Sequence, residues 1–125
     1  MKYLFITLGG ALGSLLRFSS SNWVATLHVG SYFPWGTFYV NLVGSFVIGA
    51  LAGFQHLTPF SLNARLFLFT GLLGGFTTYS AYALETLTLF KEGQGILAIV
   101  YVLSTTILGL GFAAIGYWLI HLLKS

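Results

Sequence analysis

A chain of 125 residues that is 57% hydrophobic and 6% charged, with a mean hydropathy of +0.91, carries too little polar surface for a water-soluble globule. Its five Lys and Arg and two Asp and Glu are scattered, so the net charge of +3 forms no basic cluster able to track a phosphate backbone, and nucleic acid is excluded as a partner. Cysteine is absent, which removes disulfides and thiolate metal sites. The chain reads as a single domain over residues 1–125, embedded in membrane lipid.

Four apolar stretches, residues 3–24, 37–54, 66–90 and 96–123, are long enough to cross a hydrocarbon core that needs roughly 20 residues per helix. Short polar connections containing Gly30, Pro59 and Gly93 separate them. Backbone amides inside lipid must be satisfied locally, so runs of this length without strand-like alternation predict an all-α bundle of four transmembrane helices.

The first stretch follows Lys2 and precedes Ser19, Ser20 and Ser21, a layout that imitates a secretory signal. Arg17 lies between the apolar run and any cleavage point, so the stretch is expected to remain as the first helix. Gly9 and Gly13 stand one turn apart there, as do Ser45, Gly49 and Gly53 in the second stretch and Gly71 and Gly75 in the third. Such spacing lets helix backbones approach closely. Tightly packed helices fill their own centre, so a conduction route is expected where two copies meet, and a dimer is the smallest working unit.

Within the uncharged second stretch, Asn41 offers a neutral amide donor that must be paired or face a wet path. A helix-to-helix hydrogen bond is its ordinary alternative. The third stretch holds Gly74, Gly75, Thr77, Thr78 and Ser80 at mid-membrane, and each of these residue types weakens a helix. The helix is predicted to break near Gly74 to Thr78. Paired glycines alone would serve packing, but packing has no need of successive hydroxyls. Main-chain oxygens released at such a break suit a hard cation such as Na+.

Tyr79 and Tyr82 follow the break three residues apart, presenting positive ring edges and donor hydroxyls. Glu85 is an acid inside an apolar run, which makes it a functional candidate or a partner for Arg17. In the fourth stretch Tyr101 and Thr105 lie one turn apart and extend a stripe of donors. His28, His56 and His121 show no metal-ligand spacing and are placed at the membrane interfaces. No nucleophile, base and orienting group fall together, which argues against an enzyme. Lys2, Arg65 and Lys124 on one side nearly balance Lys91 and Arg17 on the other, leaving both dual insertion and a weakly biased single topology open.

Three segments jointly resemble the Fluc (CrcB-type) fluoride ion channel family. They are Gly9-Gly10-Ala11-Leu12-Gly13 with Arg17, the run Gly36-Thr37-Phe38-Tyr39-Val40-Asn41-Leu42-Val43-Gly44-Ser45, and Gly74-Gly75-Phe76-Thr77-Thr78-Tyr79-Ser80 with Glu85. The resemblance implies a bacterial plasma-membrane channel, an antiparallel dual-topology dimer, two fluoride pathways and a central structural Na+. By position, Gly74 and Thr77 would give backbone carbonyls to Na+ and Asn41 would donate to fluoride. The implied pathway also takes in Tyr79, Ser80, Tyr82, Glu85, Tyr101 and Thr105.

Tyr79 and Tyr82 stand where the family usually has two phenylalanines, and Gly109 leaves the fourth-helix hydroxyl track one side chain short. These departures keep open a pairing with a different, homologous subunit. A small dual-topology multidrug exporter is a further alternative, although it normally needs a carboxylate in its first span, where this chain has Arg17.

Overall fold

The computed structural model describes residues 1–124, which form helices and connections with no strand among them. Helix α1 runs Lys2–Thr26 and α2 Trp35–Leu57. A short α3, Leu62–Arg65, leads into a π-helical segment, Leu66–Leu73, and then into α4, Gly74–Phe76. Helix α5 spans Ser80–Lys91 and α6 Gly95–Lys124. The third apolar stretch thus begins earlier than its hydropathy alone suggests, because Ser61 caps it: the Ser61 hydroxyl accepts from Ala64 N–H at 3.2 Å.

Among the described residues, α2 and α6 are each long and apolar enough to cross a bilayer. The 15 residues of 62–76 and the 12 of α5 are each too short to cross alone, at about 1.5 Å of rise per residue.

Close backbone contact explains the glycine spacing. A methyl group added at Gly49 would enter Ala113 O, and one added at Gly116 would enter Phe46 O, so α2 and α6 touch main chain to main chain. On the other side of the bundle, Gly13 meets Leu72 O, and a Cβ on Gly75 would lie 2.7 Å from Gly10 O. A small core of Phe38, Leu42, Leu89, Ala98 and Tyr101 joins α2, α5 and α6, with Phe33 packed edge-on against Phe38 and Tyr101. Leu15, Trp23, Ile107, Leu110 and Leu122 point outward, an apolar exterior that suits lipid and would be untenable in water.

Candidate functional site

Thr77 is extended, with φ −85° and ψ 157°, and helical backbone resumes only at Ser80. The interruption therefore falls at the threonines rather than at the glycines. Gly74 and Gly75 stay helical because α1 packs against that turn, whereas β-branched Thr77 and Thr78 accept extended geometry readily. Gly44 on α2 makes room for this backbone: a Cβ there would overlap Thr77 Cγ2.

Asn41 holds the opened segment with two bonds. Thr78 N–H donates to Asn41 Oδ1 at 2.9 Å, and Asn41 Nδ2 donates to Thr78 O at 3.0 Å. The Thr78 hydroxyl in turn accepts from Ala81 N–H at 3.1 Å and caps α5. In an unbroken helix Thr78 N–H would serve Gly74 O and Ala81 N–H would serve Thr77 O. With both donors diverted, the Gly74 and Thr77 carbonyl oxygens have no donor among the described residues. The Thr77 hydroxyl does not compete for this space, since it donates to Leu73 O at 2.9 Å.

Gly74 and Thr77 line a cleft of about 430 Å³ together with Asn41, Ser45, Leu73, Tyr82 and Thr105. Tyr79 also lines it and is 80% exposed, its ring 5.8 Å from that of Tyr82. Tyr101 stands behind Tyr82 at 5.2 Å and is 0% exposed. The Tyr101 hydroxyl and Thr105 Oγ1 are both buried without a hydrogen-bond partner.

The remaining candidates lie apart. The Ser80 hydroxyl sits 3.4 Å from that of Thr78 and is exposed outside the cleft. Arg17 and Glu85 line a neighbouring cavity of about 240 Å³ together with Ser21, Thr37 and Thr78. They do not pair with one another. Arg17 Nε donates to Gly75 O at 3.0 Å, and the Thr37 hydroxyl donates to Glu85 Oε1 at 2.6 Å. Sequence reasoning missed Thr37 as the partner of Glu85, and it read Ser45 only as a small packing residue. A polar residue one turn from Asn41 was the available signal for Ser45.

A helix interruption whose Gly74 and Thr77 carbonyls lack a donor, beside a cleft in a bundle with an apolar exterior, fits the class of membrane transport proteins. The chain matches the family model described as CrcB-like protein, Camphor Resistance (CrcB), over residues 4–117, and it belongs to that family. Among its relatives is the "Fluoride-specific ion channel FluC" of Thermus thermophilus, 46% identical over 116 residues, which make up 93% of this chain and 91% of the relative. The FluC of Parabacteroides distasonis is 46% identical over 110 residues, 88% of this chain and 85% of its own length. That of Helicobacter acinonychis is 47% identical over 120 residues, covering 95% and 94% respectively. Family membership sets the exporter reading aside.

Proposed function

We propose that the chain is a fluoride-selective channel that lets the anion leave the cytoplasm passively across the bacterial plasma membrane. Two copies in inverted orientation form the working unit, with one pathway along each side of their interface. The observation that carries this reading is the cleft beside the Thr77 interruption, whose lining gathers Asn41, Tyr82 and Thr105 with Gly74 and Thr77, the two residues whose carbonyls lack a donor. The names of the relatives supply the ion.

Fluoride is small and strongly hydrated, so a path that strips its water must supply donors without a full positive charge to trap it. Asn41 spends one N–H on Thr78 O and keeps a second. The Tyr101 and Thr105 hydroxyls have donors with no other claim on them. Tyr79 and Tyr82 add ring edges, and the route is assigned Ser80, exposed beside the Thr78 hydroxyl, and Glu85, in the neighbouring cavity. Neutral HF crosses lipid, ionises inside and is trapped as the anion, so gradient and membrane potential suffice to drive export.

The unclaimed oxygens of Gly74 and Thr77 fit a hard cation, and two from each copy would hold a structural Na+ at the interface. Bound there, Na+ supplies a fixed positive charge between the inverted copies. The residues themselves do the remaining work: Asn41 keeps the Thr78 backbone open, and Gly44 leaves room for Thr77.

The test is fluoride efflux, read by electrode, from liposomes containing only this purified chain. Efflux that is absent with chloride and lost when Na+ is replaced by a bulky organic cation is the expected result. No fluoride efflux would overturn the homodimeric channel and point to a homologous partner subunit.

A further inference from the structure

At the far end of the α2 and α6 pair the fold brings together two imidazoles that lie 65 positions apart in the chain. The ring centres of His56 and His121 are 5.4 Å apart, with their planes inclined by 31°. We propose that these two side chains form a binding site for a transition-metal dication of the Zn²⁺ class, bridging the last turns of α2 and α6.

The separation is one that such a metal can span. A metal about 2.1 Å from an imidazole nitrogen lies about 3.2 Å from that ring's centre, so two ligands at a near-tetrahedral angle bring their ring centres to roughly 5 Å. The tautomer is also set on one side. His121 Nδ1 lies 3.2 Å from Tyr117 O, and a carbonyl only accepts, so Nδ1 carries the hydrogen and Nε2 keeps its lone pair. A backbone carbonyl taking the second ring N–H is the usual support for a metal-binding histidine. Tyr117 and Trp118 pack on the His121 ring at 4.6 and 5.5 Å and restrain its orientation. The His56 ring forms no hydrogen bond among the described residues and is exposed, so either nitrogen can turn to a metal.

The surroundings accept a cation. His56 and His121 occupy the last turns of two helices whose C-terminal carbonyls carry partial negative charge. Lys124 is already engaged, its Nζ lying 5.2 Å from the centre of the Phe54 ring. Two imidazoles leave coordination positions for water, and imidazole suits Zn²⁺, Ni²⁺ and Cu²⁺. His28 makes the same Nδ1 contact, 3.0 Å from Val24 O, but its ring is stacked on Trp35 at 4.7 Å with no second imidazole beside it, so it is an internal control.

Calorimetric titration of tag-free protein in detergent with Zn²⁺ tests the site. One Zn²⁺ per chain is expected, with affinity lowered at least about tenfold in His56→Ala and in His121→Ala and unchanged in His28→Ala. Zn²⁺ should also raise the thermal unfolding midpoint of the native protein and not that of His56→Gln, a variant at an exposed position that leaves the contacts of His121 with Tyr117 and Trp118 in place. Absence of binding in the native protein, or binding that persists in the His56→Ala/His121→Ala double variant, would overturn the proposal.

Discussion

Asn41 grips Thr78 as one extended strand grips another, its Oδ1 taking the Thr78 N–H at 2.9 Å while its Nδ2 gives a hydrogen to the Thr78 carbonyl at 3.0 Å. Only the carboxamide has both an acceptor and a donor at that spacing. Asn41→Asp keeps the first bond and turns the second into a repulsion between carboxylate and carbonyl. Unfolding in detergent should show a loss of about 1–3 kcal/mol, and liposome efflux of fluoride should vanish. Native efflux in this variant would remove Asn41 from the pathway.

A methyl group at position 44 would occupy the place of Thr77 Cγ2. Gly44→Ala is therefore expected to push Thr77 out of its extended position, cost about 1–3 kcal/mol and abolish the Na+ dependence of efflux. Thr77→Val should do neither, since it retains the carbonyl and the shape and loses only the hydroxyl bond to Leu73 O.

The Tyr101 hydroxyl and Thr105 Oγ1 are buried without partners, so their removal separates stability from transport. Tyr101→Phe and Thr105→Val should leave the unfolding free energy within about 1 kcal/mol of native, or raise it, because a desolvated and unsatisfied group is lost. Fluoride efflux should nonetheless fall several-fold. Equal flux in both variants would assign these hydroxyls to packing alone.

Arg17 and Glu85 bond to Gly75 O and to Thr37 rather than to each other. Exchanging the charges in Arg17→Glu/Glu85→Arg should therefore not rescue the single variants, and the coupling from a double-mutant cycle on efflux should stay below about 0.5 kcal/mol. Thr37→Val should weaken function in the same direction as Glu85→Ala, since it strips the carboxylate of its 2.6 Å donor.

The helical layout was legible because lipid leaves so few ways to satisfy a backbone, and apolar run lengths delimit α1, α2 and α6 to within a few residues. Asn41 and Thr77 stood out by being polar in apolar surroundings, and the fold brings both to one cleft. Partner choice was not legible. Glu85 read as a functional candidate or a partner for Arg17, because charge is visible in a sequence and distance is not. His56 and His121 show no ligand spacing along the chain, since their meeting depends on where α2 and α6 end. Nothing in the composition of residues 66–73 signals π-helical geometry either, a wider winding that the structure shows where this segment packs closely on α1.

That wider winding makes residues 66–73 an angular spacer. A π-turn takes in one residue more than an α-turn, so a chain one residue shorter there could rewind as ordinary helix and keep Gly74 and Thr77 near their present bearing. The same deletion in α2 or α6 has no such slack to absorb it, and would turn every residue beyond it by about 100°.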